Sequence, residues 1–147
     1  MHHKQHLIEI ERLALQGDGV GRIAAEGSEK GKVAFVPYSL PGETVRAEKI
    51  LDKKTYSRWF PEKIVRSSSD RIAPPCPYHF QPHFWGIWCG GCNWQHLPVE
   101  KQREAKRTLV SETLSRLGGF ADLPEIDLIH SEDSWRYRNN VQIAFGI

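Results

Sequence analysis

The sequence predicts a mainly β protein with one helix. A small closed β-barrel is followed by a cysteine-rich loop segment, an amphipathic helix and the first strands of an incomplete α+β domain. Three observations support this order. Short apolar segments alternate with Gly and Pro turns near the N-terminus, all the cysteines fall in one stretch without periodicity, and a single long helical pattern follows. We therefore expect three regions, residues 1–66, 67–97 and 98–147.

The composition is typical of a soluble globular protein. The chain has 147 residues, of which 39% are hydrophobic and 26% charged. No apolar run reaches membrane-spanning length, and the N-terminal residues lack the apolar core of a secretory signal. Because three cysteines are an odd number and lie close together, we expect a reducing, cytoplasmic location and no membrane partner. The net charge of +2 is too small to indicate nucleic-acid binding by itself.

The first region reads as a series of β-strands. Its turn clusters are Gly17–Gly21 and Leu40–Glu43, where Gly and Pro interrupt the apolar pattern. The strand candidates are residues 7–10, 32–36, 44–50 and 56–65. Several short strands punctuated in this way indicate a small closed barrel. Such barrels often bind oligonucleotides, although a fold alone does not establish that role.

A basic stretch lies within this region and just after it. From Lys49 to Arg71 there are seven Lys or Arg residues and three acidic ones, with Tyr56, Trp59 and Phe60 between them. Basic residues interleaved with aromatic ones can hold phosphates and stack bases. The simpler interpretation, which we favour on this pattern alone, is a solvated strand face with its aromatic side chains in a core.

The three cysteines of the chain, Cys76, Cys89 and Cys92, predict a metal site rather than a disulfide framework. The two glycines between the last two allow a tight turn and N–H groups directed at sulfur. An iron–sulfur cluster usually takes four cysteines. A zinc site with three cysteines and one histidine is also chemically possible, and the nearby histidines are His79, His83 and His96. The spacing does not decide between them.

Residues 98–117 predict one amphipathic helix. Pro98 suits the first turn, Gly118 and Gly119 end the helix, and the basic residues lie mostly opposite the apolar ones. Beyond it, residues 126–129 and 140–145 are strand candidates. The sequence therefore looks as if it stops within a domain, or as if its last strand pairs with something outside the chain.

These motifs, in this order, resemble the N-terminal part of S-adenosylmethionine-dependent RNA 5-methyluridine methyltransferases that carry a TRAM domain and an iron–sulfur cluster. The resemblance covers essentially the whole chain. It implies that the first region is an OB-like TRAM barrel. The matching segments are residues 17–22, 33–37 and 40–43 for the barrel, 71–77 and 89–97 for the cluster, and 137–140 for the Tyr-Arg-Asn-Lys signature that opens the central domain.

The resemblance implies that Cys76, Cys89 and Cys92 bind a 4Fe-4S cluster, with the fourth cysteine further along, beyond Ile147. The family commonly has five residues between its first two cluster cysteines, whereas this chain has twelve, residues 77–88. This insertion is either a longer loop outside the cluster or a change of ligand.

The resemblance also implies a reaction and a partner. The full enzyme would methylate uridine C5 in rRNA or tRNA, using S-adenosylmethionine and a catalytic cysteine and glutamate that this chain lacks. We therefore expect the chain alone to be inactive and to need the missing C-terminal part. The expected RNA-binding residues are Arg22, Lys53, Lys54 and Arg58 in the barrel, and Arg136 and Arg138 at the signature. The alternatives are a stand-alone RNA-binding module with a structural zinc site and, less well supported because only three cysteines are present, an electron-transfer protein.

Overall fold

The computed structural model describes residues 5–23, 31–80, 89–137, 139–140 and 142. It confirms a mainly β fold with one helix. The elements are β1 (Gln5–Leu13), β2 (Gly19–Ile23), β3 (Val33–Val36), β4 (Thr44–Asp52), β5 (Tyr56–Arg66) and α1 (Val99–Arg116). Within the described residues, no helix has both the length and the apolar character needed to cross a membrane.

The five strands form a closed barrel in the order β1-β2-β3-β5-β4, and β4 pairs with β1 to close it. All neighbouring strands are antiparallel except β3 and β5, which are parallel. The register shifts once between β1 and β2 and three times between β4 and β5. Such irregularities bend and twist strands, which allows a small sheet to close on itself as an OB-type barrel.

The barrel core is built from alternate residues of all five strands. Its largest member is Trp59, which is 0% exposed, and the indole N–H donates to Ser57 Oγ at 2.7 Å. The simpler interpretation is therefore confirmed for this aromatic residue, which fills the core rather than facing solvent. The other buried residues of the cluster are Ile8, Ile10, Ile23, Ala34, Val36, Val45 and Ala47.

The strand β2 was not among the sequence-based candidates, because its glycines read as part of a turn. The turn does contain Gly17, at φ +93°, but the strand begins at Gly19. A Cβ on Gly21 would lie 2.1 Å from the Glu9 carbonyl oxygen, and one on Gly19 would lie 2.1 Å from Ser39 Oγ. Gly21 therefore allows close packing against β1, and Gly19 against the loop between β3 and β4.

A buried ion pair attaches the cysteine segment, residues 67–97, to the barrel. Glu43 is 0% exposed and accepts hydrogen bonds from Arg71 Nε at 2.6 Å and Nη2 at 2.8 Å. The same carboxylate accepts the backbone N–H groups of Leu40 at 2.9 Å and Ser68 at 3.2 Å. Four donors satisfy a carboxylate that water does not reach. The serine-rich stretch at residues 67–69 is thus held against the barrel through Ser68.

A second hydrophobic cluster joins the barrel, the cysteine segment and α1. Trp94 is buried in it, and the indole N–H donates to the Gly17 carbonyl at 2.9 Å. From α1, Gln102 Nε2 donates to the carbonyls of Trp94 at 3.0 Å and Leu97 at 2.8 Å. The other apolar members are Leu13 and Leu40 of the barrel and Ala105 and Leu109 of α1.

The helix α1 confirms the predicted helix, and Pro98 precedes it. None of its residues, all of which the structure describes, is fully buried. Beyond Ala105 and Leu109, its apolar side is therefore largely exposed to solvent, with Val110 46% exposed.

The strand expected at residues 126–129 is wrong, because those residues form neither a helix nor a strand and Ile129 is fully exposed. The candidate at 140–145 falls mostly outside the described residues.

Candidate nucleic-acid interface and cysteine segment

One outer face of the barrel carries aromatic and basic side chains together. We name it the β2–β3–β5 face and define it by Arg22, Phe35, Tyr56 and Arg58. In the sheet, Phe35 pairs with Arg58, while Val33 lies between Arg22 and Tyr56. Since side chains alternate along a strand and the intervening residues point into the core, these four face outward. The half-buried Phe35 and Tyr56 rings meet edge to face with centroids 5.8 Å apart.

The turn between β4 and β5 places two cations at the end of this face. Lys53 and Lys54 are both exposed, and the Lys53 N–H donates to the Tyr56 carbonyl at 2.9 Å. Neither ammonium group has an ion-pair partner in the described ranges. Both charges are therefore available to a phosphate.

The two arginines of the face already have neighbours. Arg58 Nη2 lies 3.2 Å from Asp18 Oδ2, and Arg22 Nη1 donates to the Gly31 carbonyl at 2.9 Å. Burial raises the pKa of Asp18 above its ordinary value, and the positive charge of Arg58 partly opposes this rise. The arginines are therefore oriented and partly neutralised, whereas the lysines are not.

Phe35 was missed as a surface residue, although its alternation with the core residues Ala34 and Val36 signals an outward position.

Of the two signature arginines, the structure describes Arg136, which lies away from the β2–β3–β5 face. Arg136 is exposed, with φ +59°, and lines a groove of about 1110 Å³ together with Arg103 and Lys106 of α1 and with Cys92. None of the four expected barrel cations lines this groove. The structure thus separates the expected RNA-binding residues into two places, and Arg138 lies outside the described residues.

The backbone ties the three cysteines into one loop region. His79 N–H donates to the Cys76 carbonyl at 3.1 Å, and Cys89 N–H donates to the Tyr78 carbonyl at 2.8 Å. Cys76 N–H in turn donates to Gln95 Oε1 at 3.2 Å, three residues after Cys92. Although twelve residues separate Cys76 from Cys89, the Cys89 backbone is therefore bonded to Tyr78, which lies only two residues after Cys76.

The thiols themselves are accessible and reduced. Cys89 and Cys92 are exposed and Cys76 is half-buried, and none is in a disulfide. Across the described ranges, no three His, Cys, Asp or Glu side chains converge as metal ligands. Three soft donors on one glycine-containing loop fit the ligand type of an iron–sulfur cluster, and a Cβ added at Gly90 would meet nothing within 4 Å. The donor set fits, but the thiols are not arranged around a common point.

Two of the three candidate zinc histidines lie together against the barrel. His79 and His96 are 4% and 1% exposed, with ring centroids 5.5 Å apart. Burial lowers the pKa of His96 to about 3, and the nearby Arg71 guanidinium and His79 ring add to this effect. His96 is therefore neutral near pH 7. His83 lies outside the described residues.

The fold defines an OB-type β-barrel with an attached cysteine segment. Comparison with known proteins is more specific: residues 2–58 match the TRAM domain. The chain as a whole is homologous to the N-terminal part of RNA uracil-C5 methyltransferases.

Two curated relatives and one solved structure illustrate the similarity. An RNA methyltransferase of Bdellovibrio bacteriovorus is 37% identical over 94% of this chain and 32% of its own length. The 23S rRNA (uracil(1939)-C(5))-methyltransferase RlmD of Shewanella amazonensis is 34% identical over 93% of this chain and 28% of its own length. The structure of Pyrococcus abyssi tRNA (uracil-54, C5)-methyltransferase aligns with a TM-score of 0.48 and 27% identity, covering 86% of this chain and 24% of that one. The chain thus spans less than a third of these relatives.

Proposed function

We propose that this chain is the RNA-binding and cluster-bearing N-terminal part of a cytoplasmic, S-adenosylmethionine-dependent RNA (uracil-C5)-methyltransferase that acts on rRNA or tRNA. One observation carries the proposal: similarity to an rRNA uracil-C5 methyltransferase extends over 93% of the chain, through both the barrel and the cysteine segment. The TRAM domain alone would support only a general RNA-binding role.

The β2–β3–β5 face, with Lys53 and Lys54 at its end, is the surface we assign to RNA. OB barrels bind oligonucleotides on the face of strands 2 and 3 and on the loop between strands 4 and 5, which is where these residues lie. Free ammonium groups attract phosphates and displace counterions. Half-buried rings such as Phe35 and Tyr56 offer stacking surfaces to bases.

The chemical steps belong to the catalytic domain. In that domain a cysteine thiolate would add to uridine C6 and activate C5, and a base would remove the C5 proton as the cysteine leaves, while S-adenosylmethionine would supply the methyl group. The target base must first leave its stack. The residues of this chain hold the flanking RNA so that the extruded base reaches that domain.

In the same proposal, Cys76, Cys89 and Cys92 hold three positions of a 4Fe-4S cluster. A structural role for the cluster is the simplest, because ligand bonds would organise a segment whose described residues form no helix or strand. The accessible thiols and the hydrogen bonds that tie their backbones together support this role.

Anaerobic purification and RNA titration test the two halves of the proposal. We expect iron and sulfide to co-purify with the chain, with a brown visible spectrum that is lost in a Cys89→Ser/Cys92→Ser variant. Stoichiometric zinc in a colourless sample would replace the cluster with the stand-alone zinc module. We also expect binding to an rRNA or tRNA fragment that weakens steeply with salt, since phosphate contacts release counterions. A flat salt response would remove the RNA-binding role.

A further inference from the structure

The contact between the barrel and the cysteine segment contains two buried histidines that the proposed function does not use. The rings of His79 and His96 lie 5.5 Å apart, and the barrel residue Tyr38 packs edge-on against both, at 5.4 and 6.4 Å. Both imidazoles are more than nine-tenths buried. They lie 17 residues apart within the cysteine segment, so a group that joins them would cross-link that segment where it packs against Tyr38 of the barrel.

The hydrogen bonds fix which nitrogen of His79 carries the proton. His79 Nδ1 lies 3.0 Å from the Phe80 carbonyl oxygen, and a carbonyl can only accept, so Nδ1 donates. In the neutral ring this leaves a lone pair on Nε2, which is buried without a partner. Neither ring nitrogen of His96 has a partner. Buried polar atoms are normally hydrogen-bonded, so three unpartnered nitrogens at one place require an explanation.

The arrangement fits metal coordination. Two imidazoles on one tetrahedral zinc, with Zn–N bonds of about 2.0–2.1 Å, place their ring centroids roughly 5 Å apart, close to the observed 5.5 Å. Metal-bound histidines usually donate their other ring N–H to a carbonyl or carboxylate, as His79 does to Phe80. The nearby cation Arg71 is paired with the Glu43 carboxylate at 2.6 Å, which offsets its repulsion of a metal ion.

We propose that His79 and His96 form a two-histidine site for a divalent transition metal of the zinc class, separate from the cysteine thiols. Neutral imidazole is a good ligand for such ions. Among the described residues no third His, Cys, Asp or Glu completes the set, so water or another exogenous ligand takes the remaining positions. The bound ion cross-links two positions of the cysteine segment and so fixes the surface that packs against Tyr38 of the barrel.

The test is a zinc titration of the Cys76→Ser/Cys89→Ser/Cys92→Ser chain by isothermal titration calorimetry, with circular dichroism to confirm folding. We expect one equivalent to bind, with affinity reduced at least tenfold by His79→Gln or His96→Gln. The matched control is His6→Gln. His6 also has a buried, unpartnered Nε2, but its ring packs on Trp59 at 5.2 Å, and its loss leaves binding unchanged.

A second measurement uses the unmodified chain, in case the triple variant does not fold. In nitrogen-15 NMR spectra of the histidine rings, zinc should change the chemical shifts of His79 Nε2 and of one ring nitrogen of His96. The chemical shifts of His6 should not change. Zinc binding that survives both histidine substitutions would overturn the proposal. Histidine ring nitrogens that do not shift when the unmodified chain binds zinc would also overturn it. So would a folded triple variant that binds no zinc.

Discussion

The barrel and the cysteine segment are held together by different means. The barrel has ladders of backbone hydrogen bonds and its own core around Trp59. The cysteine segment has no strand or helix in its described part and depends on side-chain contacts with the barrel. The ion pair of Arg71 with Glu43 and the hydrogen bond of Trp94 to Gly17 are two of these contacts. The folded conformation of the cysteine segment therefore depends on the barrel, and the loss of a single contact destabilises this segment more than it destabilises the barrel.

The largest effect is expected at the buried ion pair. Arg71→Ala leaves the Glu43 carboxylate buried without its guanidinium partner, and breaking a buried pair in this way costs about 3–5 kcal/mol. Chemical denaturation should show this loss in the free energy of unfolding. The control is Arg66→Ala, because its pair with Glu9 is exposed and 3.9 Å long. Such surface pairs contribute less than about 1 kcal/mol, so equal effects of the two substitutions would contradict the comparison.

A pH effect is expected at His96. Its pKa is lowered from 6.5 to about 3 in the folded chain, so below pH 6.5 the unfolded chain binds a proton that the folded chain does not. The contribution of His96 to the free energy of unfolding is fully present above pH 6.5. It is lost as the pH falls towards 3, by at most about 1.4 kcal/mol per pH unit. Denaturation with a metal chelator between pH 7 and 4 measures it. The His96→Gln variant should lose less stability over this range, and a parallel curve for both chains would contradict the expectation.

A smaller effect is expected at two glycines, of which only one contacts the cysteine segment. Gly17 and Gly42 both have positive φ, at +93° and +83°. An added Cβ at Gly17 would lie 2.7 Å from Trp94 Nε1, whereas at Gly42 it would meet nothing within 4 Å. Both alanine substitutions introduce strain, but Gly17→Ala should cost at least about 1 kcal/mol more, since overpacking adds to strain. Thermal unfolding of the two variants measures the difference, and equal melting temperatures would show that the Trp94 contact is soft.

The two regions also differ in how far the sequence predicts them. Strands β1, β3, β4 and β5 were expected because alternation is a local signal. The strand β2 was missed because the same glycines serve in a turn and in a tightly packed strand. Glu43 and Arg71 are 28 residues apart, and nothing local to either residue signals their pairing.

The residues of the candidate sites differ in the same way in how far the sequence predicts them. Lys53 and Lys54, which the sequence predicts to bind RNA, are exposed between β4 and β5, and their contact with RNA stays a prediction. The cysteines were found from their clustering. The pairing of His79 with His96 depends on a tertiary contact between residues 17 positions apart, in a sequence without helical or strand periodicity. Residues 126–129 show the opposite case, since a short apolar run resembles a strand even where no partner strand is described.

The smallest predicted effect concerns RNA and leaves the fold unchanged. Replacing Lys53 and Lys54 with alanine removes two exposed charges at the end of the β2–β3–β5 face. Each lost phosphate contact lowers the slope of log affinity against log salt by about 1, so the double variant should lower it by about 2. The control is Lys63→Ala, an exposed lysine of β5 that pairs with Arg46 on β4 instead of with β3. Fluorescence anisotropy over a range of salt concentrations measures both variants. An equal loss of slope in the control would mean that RNA responds to the overall charge of the barrel, and the assignment of this face would fail.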